Sequence, residues 1–142
     1  MKVGELAWPN GMTVYVDMDG VLADFEAGYA RLFGHPPTGE SKTDPNVTKL
    51  VGTDFFATLD KTASADSIIK MSMAVFGHYN ICSSPLRGDF ENSEKNKKIW
   101  IAKRLNPLPK KIIITPNKDK FAVQPDGTPN ILVDDRGNNI TG

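Results

Sequence analysis

Apolar and polar positions alternate along this chain in blocks that predict strands and helices in turn. Met12 to Met18 (MTVYVDM) is a β-branched and aromatic run, which predicts a buried strand. Asp24 to Phe33 carries Phe25, Tyr29, Leu32 and Phe33 at helical spacing. Residues 34 to 48 are rich in Pro, Gly and polar side chains and read as loop. Thr53 to Leu59 reads as a short helical or irregular piece, and Ser64 to Phe76 as a helix with Ser64 as its N-cap. Tyr79 to Ser83 is a second strand, stopped by Pro85. Ser93 to Leu105 is an amphipathic helix closed by Asn106-Pro107. Lys111 to Thr115 and Asn130 to Asp134 are a third and a fourth strand.

Almost wholly apolar strands alternating with helices predict an α/β fold: a Rossmann-like parallel sheet with helices on both faces. The stretch between the first two strands is too long for a simple crossover. It predicts a small helical cap at 26–78, inserted after the first strand of a core formed by 1–25 and 79–142. The chain stops soon after the fourth strand, so a fragment or a short version of the fold is expected.

Composition narrows the function classes. The chain has 142 residues, enough for one domain with a real core. Lys plus Arg and Asp plus Glu both number 17, a balance that gives no electrostatic case for duplex nucleic acid or an anionic membrane. No apolar segment approaches the ~20 residues of a membrane helix. The start, MKVGELAWPNG, lacks the apolar centre of a signal peptide, which predicts a cytoplasmic protein. The lone Cys82 permits no internal disulfide and reads as a small buried hydrophobe.

Each strand ends in polar residues: Asp17-Met18-Asp19-Gly20, Ser83-Ser84-Pro85, Thr115-Pro116-Asn117-Lys118 and Asp134-Asp135-Arg136. In a parallel sheet those ends share one edge, where ligands bind. Asp17, Asp19, Asp134 and Asp135 would repel one another there unless a hard cation such as magnesium joins them, with a substrate phosphate completing its shell. Ser83 and Lys118 suit the phosphate, as a hydroxyl donor and a point charge. Gly20 lets the backbone and its N–H groups approach an anion. One carboxylate would attack phosphorus and a second would handle the proton. Lys95, Lys97, Lys98, Lys103 and Arg104 read as the wet face of a helix, and His35 and His78 as isolated residues rather than ligands.

Asp17-Met18-Asp19-Gly20-Val21 resembles the first motif of the haloacid-dehalogenase-like (HAD) phosphohydrolases. Ser83, Lys118 and Asp134-Asp135 stand in the order of that superfamily's later motifs. Within it the chain is most similar to the 5'(3')-deoxyribonucleotidases, through DMDGVLADF at 17–25, ICSSP at 81–85, Lys97-x-x-Trp100 and ILVDDR at 131–136. The resemblance implies magnesium-dependent removal of phosphate from nucleoside monophosphates through an aspartyl-phosphate. It implies Asp17 as nucleophile and Asp19 as general acid/base. The metal would lie on Asp17, the Asp19 carbonyl and an aspartate of the Asp134-Asp135 pair, and the phosphate on Ser83, Ser84 and Lys118. Phe25, Phe55 and Phe56 would line the nucleoside pocket; by burial statistics the same rings are more often core than ligand-facing.

The chain departs from the family pattern at Ser83, where Thr is usual, at Pro116 and Asn117, and at Phe56, where Trp is common. The partner expected is thus a small-molecule nucleotide, with no membrane and no duplex nucleic acid, and with a homodimer kept as an alternative to a monomer. The rival functions are a phosphatase for another small phosphomonoester or for a nucleic-acid 3'-phosphate end, and a non-catalytic phosphate- or metal-binding module.

Overall fold

The computed structural model describes residues 13–37, 44–117, 130–133 and 140–141. Its centre is a sheet of five strands in the order β3-β2-β1-β4-β5. β1 (Val14–Val16) pairs in parallel with β2 (Asn80–Ser83) on one side and β4 (Ile131–Val133) on the other, and β3 (Ile112–Ile114) extends the sheet beyond β2. The four strands expected from apolar runs are all present; β2 starts one residue later than expected and β3 is shorter by one residue at each end. A fifth, β5 (Ile140–Thr141), was not expected; it pairs antiparallel with β4, Val133 opposite Ile140. Two residues carry no usable hydrophobic period, so only the pairing reveals it.

The central position of β1 explains its composition. Val14 and Val16 are buried in the core, as befits a parallel strand flanked on both sides. The ladder runs one residue past the strand: Asp17 N donates to the Val133 carbonyl at 2.8 Å. That bond fixes Asp17 at the carboxyl edge of the sheet. The chain then turns sharply, with the N–H groups of Val21, Leu22 and Ala23 all directed to the Met18 carbonyl at 3.3, 2.9 and 2.8 Å. Gly20 makes the turn possible with φ 79°, a left-handed value that costs other residues energy.

The segment between β1 and β2, called the insert below, opens with α1 (Phe25–Phe33), capped by the Asp24 carboxylate, which accepts from Ala27 N at 3.0 Å. Two short 3-10 turns follow, Val47–Leu50 and Phe55–Thr58, then α2 (Ala65–Phe76). Ser64 holds the N-cap position of α2, but its side chain makes no capping bond, contrary to the sequence expectation. Its backbone is already helical (φ −99°, ψ −1°), not in the extended conformation that turns a side chain onto the first N–H groups. The insert is stitched back to the strand end at its middle: Asp24 N donates to the Asp60 carbonyl and Thr62 N to the Leu22 carbonyl, both at 2.8 Å.

α3 (Phe90–Arg104) connects β2 to β3 and starts three residues earlier than expected. Its first turns present no regular apolar stripe, so hydrophobic spacing locates its start late. α3 packs most extensively on the second 3-10 turn. There the fully buried Trp100 donates its indole N–H to the Leu59 carbonyl at 2.7 Å. One hydrophobic cluster joins Val16, Met18 and Ile81 of the sheet side to Phe55, Phe56 and Leu59 of the insert and to Trp100 and Ile101 of α3.

Tyr79, just before β2, is buried and donates its hydroxyl to the Pro107 carbonyl at 2.5 Å. Burial pushes its pKa up to about 12. The folded state therefore keeps a proton that the unfolded chain releases near its ordinary value of 10, so this contribution is complete below pH 10 and disappears as pH rises to about 12. Chemical unfolding at pH 9 and pH 11.5 should show a steeper alkaline loss for the native chain than for Tyr79→Phe. Equal losses would mean that Tyr79 does not report burial.

Candidate active site

The carboxyl edge of the sheet brings together Asp17, beyond β1, and Ser83, the last residue of β2. Both are buried. Oδ1 of Asp17 accepts from the N–H of Met18 at 2.7 Å, which orients the carboxylate at the mouth of the turn. Asp19 lies two residues further on, with its side chain 32% exposed. Ser84 and Gly20 are exposed at the same edge. Thr115 follows β3 and donates its N–H to the Ser83 carbonyl at 2.9 Å, continuing the ladder past the serine.

The side chain that joins these groups is Lys97 of α3, and it corrects the sequence reading of a wet helix face. Lys97 is fully buried. Its ammonium donates to Asp19 Oδ2 at 3.0 Å, to Ser83 Oγ at 2.8 Å and to the Ser84 carbonyl at 2.8 Å. Those three acceptors use all three of its protons. It also sits 4.7 Å from the centre of the Phe56 ring. The cause of the misreading is the inward stripe of α3, which is Ser93, Asn96, Lys97, Trp100 and Ile101. Those positions recur at i, i+3/i+4 and i+7/i+8, yet three of the five are polar. Spacing Lys97 from Trp100 rather than counting charges along the helix would have found it.

The polar members of that stripe all have work. Ser93 Oγ accepts from Leu86 N at 3.0 Å, closing the turn after β2. Asn96 and Asn92 donate to the Thr53 carbonyl at 3.3 and 2.9 Å, and Asp89 accepts from Gly52 N at 3.1 Å. The front of α3 is therefore bolted to the insert just ahead of Phe55 and Phe56.

Asp19 Oδ1 is a buried atom with no hydrogen-bond partner among the described residues. A buried acceptor in that state is costly unless it carries a proton or meets a donor or a cation supplied from outside. The described donor set of carboxylates, hydroxyl and carbonyl is all oxygen, which fits a hard divalent ion. No group of three His, Cys, Asp or Glu side chains that could hold a metal occurs among the described residues. Lys118, Asp134 and Asp135 lie outside the described residues.

The three aromatic residues form one cluster. Phe25 lies 5.5 Å from Phe55 and 6.3 Å from Phe56, and Phe55 and Phe56 meet edge to face at 5.4 Å. Phe55 and Phe56 are buried in the core; Phe25 is half-buried. Phe55 also lines a separate cavity of about 440 Å³ under α1, bordered by Phe33, Lys49 and Thr58. None of Asp17, Asp19, Ser83 or Lys97 borders that cavity.

Fold and site together define an α/β protein of the Rossmann-like class, with a carboxylate–lysine–hydroxyl site at the carboxyl edge of its parallel sheet. No family model matches the chain. Over 160 aligned residues it is 30% identical to the mitochondrial 5'(3')-deoxyribonucleotidase of Mus musculus, an alignment that covers 94% of this chain and 68% of the relative. The chain belongs to the family of that relative, the HAD-like nucleotidases. The relative is mitochondrial by name, in contrast to the cytoplasmic expectation for this chain. No helix among the described residues is long and apolar enough to cross a membrane.

Proposed function

We propose that this protein is a magnesium-dependent phosphomonoesterase acting on nucleoside monophosphates through an aspartyl-phosphate on Asp17. The observation that carries this reading is the buried Lys97, held between Asp19 and Ser83 at the edge where Asp17 ends its strand. A buried ammonium surrounded by acceptors is expensive to keep. An arriving dianionic phosphate gives that cost a purpose. The name of the mouse relative supports the choice of nucleotides.

In this reading a substrate phosphate oxygen takes over one of the three Lys97 donors. Ser83 Oγ already accepts from Lys97, so its own proton is available to a second phosphate oxygen. The exposed Ser84 and the N–H groups around Gly20 complete the cradle. The Asp17 carboxylate attacks phosphorus as the ester P–O bond breaks, and Asp19, entering this step as the carboxylic acid, passes its proton to the departing alkoxide. Asp19 then takes a proton from water, the water oxygen attacks phosphorus, and the bond to Asp17 breaks. Inorganic phosphate leaves and both carboxylates return to their starting states.

The Asp17 carboxylate, the Asp19 carbonyl and one of Asp134 and Asp135 would hold magnesium. Its chemistry there is to withdraw charge from the transferring group. We assign the nucleoside pocket to the insert, 26–78, acting as a cap. Among its rings the half-buried Phe25 retains surface for a base. The pairing of residues 22–24 with 60–62 supports a cap fixed at the strand end.

The test is phosphate release from deoxy- and ribonucleoside 5'- and 3'-monophosphates, with p-nitrophenyl phosphate as a base-free control, in magnesium and in EDTA. Release in magnesium that favours deoxynucleotides and stops in EDTA is the expected result. Release from the base-free ester alone would keep the chemistry and remove the nucleotide assignment. No release from a folded protein would turn the site into a binding module.

A further inference from the structure

We propose that Phe56 is a positioning residue for Lys97, so that the aromatic cluster of the insert governs the rate of phosphoryl transfer as well as the fit of the substrate. The proposal rests on the phosphohydrolase reading above and goes beyond it, because it moves Phe56 from the nucleoside pocket to the phosphate site.

The Lys97 ammonium stands over the Phe56 ring at 4.7 Å from its centre, within the range in which the negative face of the ring attracts a cation. Lys97 is fully buried and Phe56 is 4% exposed, so water does not screen the contact. Phe25 is stacked on the same ring, and Phe55 meets it edge-on. Phe56 is thereby enclosed by protein and has little surface for a nucleobase.

The ring is held as firmly as the lysine. Its 3-10 turn is tied to α3 ahead of Lys97 by Asn92 and Asn96 on the Thr53 carbonyl, and behind Lys97 by Trp100 on the Leu59 carbonyl. The ammonium thus has three hydrogen-bond acceptors and an aromatic wall. When a phosphate takes over one of its protons, the wall keeps it from following the anion out of register. A shift of about 1 Å in a charge-stabilising group is enough to slow a reaction severely.

Phe56→Leu keeps apolar bulk and removes the π face. With p-nitrophenyl phosphate, which carries no nucleoside, kcat is expected to fall about tenfold while KM changes less than about twofold. A purely nucleoside-facing ring would leave kcat on this ester within about twofold, which would overturn the proposal. Chemical unfolding of Phe56→Leu, Lys97→Met and the double variant should show a coupling of about fivefold in the unfolding constant. Additive effects, within about twofold, would overturn it as well, since Phe56 would then act on something other than Lys97. If the native chain releases phosphate from no ester, the phosphohydrolase reading has failed and the positioning role falls with it. Turnover by the native chain with an unaffected Phe56→Leu variant refutes the positioning role alone.

Discussion

Asp17→Asn is expected to reduce phosphate release by about ten-thousandfold or more, with the fold intact. The amide retains an oxygen where Oδ1 accepts from Met18 N, so the turn after β1 keeps its hydrogen bond. The nucleophile is lost, because an amide oxygen does not form the acyl-phosphate. Stability should hold, because the substitution keeps the size of the side chain and the bond to Met18. A melting temperature within about 4 °C of the native value, with activity gone, is the expected pair of results. Normal turnover would remove Asp17 as nucleophile. Lost turnover with a collapse in melting temperature would make it a structural residue.

Much of the fold was legible because its strands are short and nearly wholly apolar, and each is punctuated by a residue that cannot continue it. Val14 to Val16, Ile112 to Ile114 and Ile131 to Val133 admit few readings besides buried strands. β5 was illegible for the opposite reason: two residues define it only through their partners on β4. Asp17 and Ser83 were expected at one edge, and lie at one edge, because strand ends in a parallel sheet converge, a rule that needs no side-chain detail.

Lys97 was missed because it reaches the edge from a helix. Its neighbours Lys95 and Lys98 are exposed, and nothing in a run of lysines says which one turns inward. Burial of Trp100 and Ile101 on the same stripe decides it. The aromatic cluster was half legible. Phe25, Phe55 and Phe56 do come together, but only the packing separates the half-buried Phe25 from the two core rings.

Lys97→Met measures whether the inward lysine carries the phosphate. Methionine keeps an unbranched stem of similar length, so the contact with Phe56 is roughly preserved while the charge and three donors vanish. Removing one partner of a buried ion pair costs about 3–5 kcal/mol, because the other charge is stranded. Asp19 is 32% exposed at its side chain, so water recovers part of that loss, and a value near the low end, about 3 kcal/mol, is expected. Ser83 Oγ and the Ser84 carbonyl lose donors at the same time. Turnover should fall by about 10²–10³-fold, the usual effect of deleting one fixed charge or donor from a transferring group.

Lys118 supplies the counter-experiment. It is the lysine that motif order assigns to the phosphate, and Lys118→Met should lose far less than Lys97→Met if the buried ammonium is the one that matters. The reverse ranking, with Lys97→Met unfolding more easily but turning over normally, would make Lys97 a strut that holds Asp19 and would return the phosphate to Lys118. Parallel loss in both variants would mean that two cations share the dianion, which two exchangeable phosphate oxygens allow. Melting curves taken beside the rates separate the cases, because only a strut couples its whole effect to stability.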